Sequence, residues 1–310
     1  MIRILLILLI CGLIVAIGMG YLGFVHPAFD TITNFRVHFL IALTVLISAL
    51  IVSYNIKFIL ISLLLATSGF VYVIASQGET QVAQEPDDSN RQTYTLLHLN
   101  LYYKNASQGK VVDLIERIDP EIIFFNEMSE SWKQRLKGLI SSYPYTYYCP
   151  EWQQIGGNKI YSRFAMIPDS EYCHPYSAMA STDITIENHI VTLGSVHIRW
   201  PWPASGPAQV DKLRPFLNRL GHSALISGDF NSVSWSWLVR RFAQYGNLQL
   251  IDGIGPTWLF QLLPISWVKL LGLPIDHVMV KGRVKLIEAR TLEAVGSDHL
   301  PVLVRFSIKQ

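Results

Sequence analysis

The sequence predicts an α/β sandwich domain preceded by transmembrane helices. Residues 1–78 contain only four Asp, Glu, Lys or Arg side chains, whereas the remainder of the chain carries 22 basic and 22 acidic residues. Beyond residue 93, apolar runs of strand and helix type alternate at first and strands dominate later, which is typical of two sheets flanked by helices. We therefore divide the chain into a membrane domain (1–76), a linker (77–92) and a larger domain (93–310).

Three apolar segments of the membrane domain are each about long enough to cross a bilayer, namely residues 4–24, 37–54 and 58–75. Only Asn55, Ile56 and Lys57 separate the last two, which indicates a helical hairpin. A cleaved signal peptide is the alternative for the first segment, because Arg3 precedes an apolar stretch. The length of that segment and the segments that follow it favour an uncleaved helix, so we expect about three transmembrane helices.

Lysine and arginine residues near these segments predict the orientation of the chain in the membrane. Arg3 and Lys57 favour a cytoplasmic N-terminus and a cytoplasmic hairpin, whereas Arg36 argues mildly against this arrangement. Three crossings that start in the cytoplasm end outside it. We therefore expect a multi-pass protein of the cell (inner) membrane whose larger domain is extracytoplasmic.

The charge and the cysteines of the larger domain place weaker restrictions on its function and cellular compartment. Its net charge is near zero, whereas non-specific nucleic-acid binders usually carry a basic surplus, so the balance argues against such a role without excluding it. Cys149 and Cys173 do not have the spacing of metal ligands. In an oxidising compartment they could form a disulfide, and two free thiols fit the sequence equally well.

Six short motifs place polar side chains at the ends of predicted strands. In chain order they are LHLNLYYKN, FFNEMSE, SVHIRWP, SGDFN, PIDHVMV and GSDHLPV. Their candidate functional residues are Asn100, Glu127, His197, Asp229, Asn231, Asp276, Asp298 and His299. Each motif alone is compatible with an ordinary turn or helix cap. Because ligand sites form at strand ends in α/β architecture, we expect the eight side chains to converge on one cleft.

Taken in order, these motifs resemble the signature of the endonuclease/exonuclease/phosphatase superfamily over about residues 93–308. GDFN and GSDHLPV are the most specific matches, and SVHIRWP is the least specific. The resemblance implies a four-layer α/β/β/α sandwich and a metal-dependent phosphoesterase that uses Mg²⁺, with Mn²⁺ as an alternative. With about three expected membrane helices before such a domain, the chain also resembles bacterial membrane proteins of the teicoplanin-resistance type.

The resemblance also implies a role for each polar residue at the metal. Glu127 would be the principal Mg²⁺ ligand, helped by Asn100 and Asp298. Asp229 would orient or deprotonate the attacking water, and Asn231 would hold Asp229 or the phosphate. Elementary chemistry agrees, because a hard cation prefers oxygen ligands and neutralises the negative charge that protects a phosphate ester from attack.

The histidines have different expected roles. By the same resemblance, His299 would contact the scissile phosphate with Asp276 behind it, and His197 would contact the phosphate from the other side. A carboxylate behind His299 would favour its protonated form and fix its orientation. His277 would point to the opposite face of its strand, and we interpret both His277 and His98 as packed structural residues.

Aromatic and apolar residues follow three of the motifs and bear on the substrate. They are Trp200, Trp202, Trp235, Trp237 and segment 258–273, whose single charge is Lys269. These residues could pack as satellite core, or they could form a nonpolar rim that faces lipid, since Trp favours the membrane interface. The second interpretation predicts the bilayer as a partner and a lipid-linked phosphate, pyrophosphate or phosphodiester as the substrate.

Two other classes of function remain open. One is a membrane-tethered extracytoplasmic nuclease, which a basic groove would favour. The other is a non-catalytic membrane scaffold, against which the intact motifs argue, because a binding module does not need Asn100, Glu127, Asp229 and His299 together.

Overall fold

The computed structural model of the protein describes residues 1–54, 91–151, 155–174 and 178–309. The third predicted membrane segment, residues 58–75, and nearly all of the predicted linker lie outside the described residues.

Residues 1–54 contain three α-helices, α1 (Ile2–Met19), α2 (Pro27–Asn34) and α3 (Arg36–Tyr54). With the 3₁₀ turn that follows it, α1 extends over Ile2–Leu22, and this stretch and α3 are both long and apolar enough to cross a membrane. Neither α1 nor α3 contains a buried residue, so an apolar surface surrounds each of them. Apolar side chains on all sides are typical of a helix in lipid.

α1 and α3 lie antiparallel. At one end, Arg3 donates to the carbonyl oxygen of Ser53 and its guanidinium lies 4.4 Å from the centre of the Tyr54 ring. At the other end, Arg36 lies 4.0 Å from the centre of the Tyr21 ring. The connection between the two helices, which contains α2, is therefore at the end away from the N-terminus.

Most of residues 26–36, the stretch between the first two predicted membrane segments, forms α2. Pro27 occupies the first helical turn, where its fixed φ suits a helix and its missing N–H costs nothing. The His26 imidazole caps the helix by accepting from the Ala28 backbone N–H at 3.1 Å. Asp30, Thr33 and Asn34 of this short helix are buried.

Two six-stranded sheets form the larger domain. The first sheet contains, in spatial order, β11 (Val284–Thr291), β12 (Val302–Ile308), β1 (Tyr94–Asn100), β2 (Ile122–Met128), β4 (Gly157–Ser162) and β3 (Tyr145–Cys149). The second contains β5 (Tyr172–Cys173), β6 (Met179–Ile186), β7 (His189–His197), β8 (Ala224–Asp229), β10 (Asp276–Lys281) and β9 (Gln249–Leu250).

The two sheets pack face to face, with helices on both outer faces. Leu96, Phe124 and Leu225 belong to the core between the sheets. The outer face of the first sheet packs against α4 (Gln108–Ile118) and α5 (Glu130–Arg135), and that of the second packs against α6 (Gly206–Leu217) and α7 (Trp237–Gly246). The predicted four-layer α/β/β/α sandwich is confirmed.

Most strand pairs are antiparallel, and the two parallel pairs position the polar motifs. β1 and β2 are joined through α4, and β7 and β8 are joined through α6. In register, Asn100 lies opposite Asn126, His197 opposite Asp229, and Asp229 opposite Asp276. The polar ends of both sheets therefore meet at one edge of the sandwich.

Cys149 and Cys173 form a disulfide that joins β3 to β5, the edge strands of the two sheets. The sequence left this pairing open.

Candidate active site

A cleft of about 490 Å³ lies at the polar edge of the sandwich. It is lined, among others, by Glu127, His197, Asp229, Asn231, Asp298 and His299. Asn100 and Asp276 are buried and hydrogen-bonded to residues of this lining. The structure thus brings together all eight residues that the motifs singled out.

Glu127 lies at an irregularity of β2, where the pairing with β4 shifts register between Phe125 and Met128. Its φ of 57° is unusual for a residue with a side chain, and such conformations are found where the surroundings impose them, often at functional sites. The carboxylate accepts from the Asn100 amide at 3.3 Å and from the Tyr103 backbone N–H at 3.0 Å. The irregularity directs this carboxylate into the cleft.

Burial raises the pKa of Glu127, and the nearby Asp298 carboxylate adds to this effect. A divalent cation beside the two carboxylates would reverse the effect, because an opposite charge stabilises the ionised form. Asp298 accepts from the Trp258 indole N–H at 3.1 Å and from the Gln261 amide at 3.3 Å, both at Oδ2. The oxygen donors of Glu127 and Asp298 therefore fit a hard divalent metal.

Asn100 connects the candidate metal ligands with Asp229. Its amide nitrogen donates to Glu127 Oε1 and, at 3.0 Å, to Asp229 Oδ2. Its amide oxygen accepts from the Tyr102 backbone N–H at 3.1 Å. In this orientation the amide nitrogen holds two carboxylates together, and the amide oxygen retains a second lone pair for the expected role as a metal ligand.

Asp229 is held at both of its oxygens. Oδ1 accepts from the Asn231 backbone N–H at 2.8 Å, and Oδ2 accepts from the Asn231 amide at 3.3 Å as well as from Asn100. The Nε2 atoms of His197 and His299 lie 3.7 and 3.6 Å from Oδ2. Burial raises the pKa of Asp229 to about 7, against the opposing effect of His299. A carboxylate whose pKa lies near neutrality is well matched to accept a proton from water.

His299 belongs to a buried charge network with Asp276 and His98. His299 Nδ1 lies 2.8 Å from one carboxylate oxygen of Asp276, and His98 Nε2 lies 2.9 Å from the other. Burial would lower the pKa of His299, but Asp276 and Asp229 outweigh it and raise the pKa to about 10. Burial likewise opposes ionisation of Asp276, yet both histidines hold its pKa well below the usual range. The two carboxylates therefore favour the protonated form of His299, with Nδ1 on Asp276 and Nε2 3.6 Å from Asp229 Oδ2.

Asp229, Asp276 and His299 could hold a metal ion by spacing alone, since one ligand atom from each lies within 4.8 Å of the others. Their hydrogen bonds argue for a different use. Both Asp276 oxygens already bind histidine nitrogens, and a protonated imidazole has no lone pair for a metal. Glu127 and Asp298 are the better candidate ligands in the same cleft.

The two remaining histidines differ from each other. Burial lowers the pKa of His197 to about 4, so this imidazole is neutral at the cleft wall. His277 binds the Ser232 carbonyl oxygen at 2.7 Å on the other face of β10, in accordance with its expected structural role.

Sequence reasoning missed two residues of the site. His98 is packed, as expected, but it also fixes Asp276. Asn126 accepts from the Asp229 backbone N–H at 3.1 Å and donates to Asn158 and Ser195, so it ties the two sheets together beneath the cleft. The available signals were that His98 shares a strand face with Asn100 and that Asn126 precedes Glu127.

The sequence matches the model of the Endonuclease/Exonuclease/phosphatase family over residues 97–299. This range contains all eight candidate residues. No curated protein sequence matches the chain.

Solved structures share the fold at low sequence identity. ANGEL2, a 2′,3′-cyclic phosphatase, is 13% identical with a TM-score of 0.56, covering 71% of this chain and 97% of its own. The D. rerio TDP2 complex with a single-strand DNA product is 13% identical with a TM-score of 0.55, covering 70% and 99%. An endonuclease/exonuclease/phosphatase from Bacteroides vulgatus is 13% identical with a TM-score of 0.55, covering 71% and 100%.

Proposed function

The chain belongs to the endonuclease/exonuclease/phosphatase family, whose members are metal-dependent hydrolases of phosphoester bonds, and we propose that it is a membrane-anchored member with an extracytoplasmic active site and a lipid-linked substrate. The observation that carries the proposal is the position of the cleft. The side chains for phosphoester hydrolysis line the cleft, and an aromatic surface leads from the cleft to Phe35, the residue before α3.

The proposal assigns the metal to Glu127 and Asp298, with Asn100 bracing the Glu127 carboxylate. Their oxygen donors suit Mg²⁺, with Mn²⁺ as the alternative. A divalent cation bound there would neutralise charge on the phosphate and make it susceptible to attack by water.

The protein's own groups would carry the proton and stabilise the developing charge. Asp229, held by Asn231 and Asn100, takes a proton from the attacking water, for which a pKa of about 7 is suitable. His299, kept protonated by Asp276, donates a hydrogen bond to a non-bridging phosphate oxygen. His197, being neutral, donates a weaker bond from the opposite wall. No covalent enzyme intermediate is needed.

A chain of aromatic contacts supports a lipid-linked substrate. Trp258 binds Asp298 and packs edge-to-face against Trp200, with ring centres 5.8 Å apart. Trp200 in turn stacks on Phe35, the residue before α3, with ring centres 6.4 Å apart. An apolar chain that emerges from the membrane beside α3 would thus meet an aromatic surface up to the candidate metal ligands.

The predicted rim segment 258–273 divides into two parts. Leu259, Val268 and Leu273 are buried, so part of the segment is satellite core. Phe260, Leu262 and Trp267 are 55%, 84% and 51% exposed. Each of these exposed side chains could contribute about 1.5–3 kcal/mol on entering an apolar environment, enough to hold the cleft against the bilayer.

Three observations support the extracytoplasmic orientation. The α2 end of the α1–α3 pair contacts the sandwich, which places Arg3 at the opposite end. α3 is about 28 Å long at 1.5 Å per residue, which suits one crossing, and the proposal includes a further crossing over residues 58–75 before Arg91. The Cys149–Cys173 disulfide fits an oxidising compartment.

The full-length protein, stripped of metal by a chelator, is expected to be inactive and to recover on addition of Mg²⁺ or Mn²⁺. The substrates to compare are a lipid pyrophosphate, a phosphodiester lipid, an aryl phosphodiester and DNA. We expect a lipid substrate in vesicles to be hydrolysed fastest, because the membrane concentrates it beside the cleft. Faster hydrolysis of DNA would instead establish the tethered nuclease. If no substrate were hydrolysed with either metal, the non-catalytic membrane scaffold would be the remaining interpretation.

A variant with Phe260→Ser, Leu262→Ser and Trp267→Ser tests whether the exposed rim side chains bring the cleft to a substrate in the membrane. Trp258, which binds Asp298, is kept in this variant, although it loses the neighbouring Phe260 ring, whose centre lies 6.5 Å from its own. The variant should hydrolyse the lipid substrate more slowly and the aryl phosphodiester at the normal rate. An equal loss on both substrates would show that these residues stabilise the cleft itself.

A reporter enzyme that is active only after export should be active when fused after Gln310. The same reporter fused after Tyr54, at the Arg3 end of α3, should be inactive, because two crossings return the chain to the cytoplasm. The reverse pattern of activity would overturn the orientation.

A further inference from the structure

The segment between the two N-terminal apolar helices is built into the sandwich beside the cleft. Two of the buried polar side chains of α2, Asp30 and Asn34, bind the larger domain, whereas the buried Thr33 hydroxyl donates to the Gly20 carbonyl oxygen within the N-terminal part. Buried polar groups are costly unless they are hydrogen-bonded, so these contacts are part of the folded structure.

Asp30 holds the start of α7, the helix that follows the SGDFN motif. Its two carboxylate oxygens accept from the backbone N–H groups of Trp237 at 2.7 Å and Leu238 at 2.9 Å. These donors belong to the first turn of a helix, where they have no partner within the helix and where a negative charge is favourable. Asp30 thus caps a helix of the larger domain from the membrane side.

Asn34 binds the loop that contains Asn231. Its amide nitrogen donates to the Asn231 carbonyl oxygen at 3.2 Å, and its amide oxygen accepts from the Val233 backbone N–H at 3.1 Å. Asn34 is almost completely buried, and Asn231 has a positive φ of 49°. The Asn34 side chain therefore binds backbone groups on both sides of a strained turn, and we call these two hydrogen bonds the clamp.

The clamped turn holds the Asp229 carboxylate. The Asn231 backbone N–H and amide both donate to Asp229, and the amide also donates to the Ile198 carbonyl oxygen at 2.9 Å. A shift of the Asn231 peptide would therefore move two of the hydrogen bonds that orient Asp229. Small displacements of a reacting group have large effects on rate.

We infer that Asn34 is a positioning residue for the reaction, and that the N-terminal membrane segment completes the active site in addition to anchoring it. This inference rests on the proposed function, because it assigns Asn34 a part in orienting the candidate base Asp229. Asn34 itself does not touch the substrate.

Asn34→Ala in the full-length protein tests the inference, with Thr31→Val as the matched control. Thr31 lies on the same helix and also makes two hydrogen bonds, one to each of the N–H and C=O groups of Trp202, both at 3.0 Å. Each variant removes two contacts between α2 and the sandwich. Only Asn34→Ala removes contacts to the turn that holds Asp229.

With the aryl phosphodiester, Asn34→Ala should lower kcat by about 10–10²-fold and leave KM within about twofold, whereas Thr31→Val should change neither. Thermal unfolding midpoints should fall similarly for both variants. An unchanged kcat in Asn34→Ala, or an equal loss of kcat in Thr31→Val, would overturn the positioning role.

Hydrogen–deuterium exchange of the peptide 228–236 gives a readout that does not depend on activity. Its amides should exchange faster in Asn34→Ala than in the wild-type protein or Thr31→Val, because the Val233 N–H loses its acceptor. Unchanged exchange would refute the clamp even if the wild-type protein hydrolysed none of the substrates, so failure of the inference and failure of the proposed function are distinguishable.

Discussion

Replacing Asp229 by Asn is expected to lower kcat for the aryl phosphodiester by about 10²–10⁴-fold, the usual contribution of a general base. The substitution keeps the size and shape of the side chain. An amide cannot accept a proton from water at neutral pH, whereas the Asp229 carboxylate, with a pKa of about 7, can. KM should change little, because the substitution removes an interaction that is made in the transition state and not when the substrate first binds.

Asp183→Asn is the matched control for this prediction. Asp183 lies on β6 of the same sheet, where it accepts a hydrogen bond from the Thr192 hydroxyl at 2.6 Å, and it does not line the cleft. The control should retain the wild-type kcat. Near-normal turnover by purified Asp229→Asn, with contaminating hydrolases excluded, would remove Asp229 from the proposed mechanism.

The motifs allowed the convergence of the site residues on one cleft to be predicted, because several of them occupy strand ends. Asn100, His197 and Asp229 are the last residues of β1, β7 and β8, and Asp276 is the first of β10. Hydrophobic runs define those strands, and the parallel connections bring their ends to one edge. A polar residue that directly follows a buried apolar run can therefore be recognised in the sequence, and the fold places it at the edge of the sandwich that forms the cleft.

Contacts between elements far apart in sequence could not be predicted in the same way. His98 and Asp276 are 178 positions apart in the sequence, and no periodicity of the intervening chain would pair these two side chains. α2 was missed for a related reason. Its polar residues look like a solvated turn between apolar segments, and only the sandwich shows that Asp30 and Asn34 are buried against backbone groups of the SGDFN region.

Element boundaries differed from the sequence predictions where tertiary contacts decide them. The sequence pattern over residues 129–140 predicts one helix, but α5 ends at Arg135 and continues as a 3₁₀ turn. The pattern over roughly residues 233–244 likewise predicts a helix, but α7 begins only at Trp237, because the preceding residues form the turn that Asn34 clamps and because Ser236 and Asp30 cap the first turn. Hydrophobic pattern alone does not locate such ends.

The Glu127→Gln variant is expected to lose about 10²-fold or more of the affinity for the catalytic metal, and most of the activity at ordinary Mg²⁺ concentrations. Substitution of a residue that only supports a metal ligand typically costs about 10–10²-fold in metal affinity or activity, so loss of a direct ligand should cost at least as much. An amide also carries no charge to attract the cation. The half-saturating concentration of Mg²⁺ or Mn²⁺, measured by activity, should rise accordingly.

Metal-induced stabilisation checks the same assignment without a substrate. A ligand present at 100 times its Kd stabilises the folded state by about 2.7 kcal/mol, which is measurable as a rise in the unfolding temperature. The wild-type protein should show this rise with Mg²⁺ or Mn²⁺, and Glu127→Gln should lose most of it.

Glu121→Gln serves as the control because Glu121 lies at the other end of the same strand. There its carboxylate accepts from the Thr95 backbone N–H at 2.8 Å, at the end of the strand that is away from the cleft. This variant should keep the metal-induced stabilisation of the wild-type protein. If Glu127→Gln were stabilised by the metal as strongly as Glu121→Gln, Glu127 would not be a ligand, and the Asp229, Asp276 and His299 group would become the site to test instead.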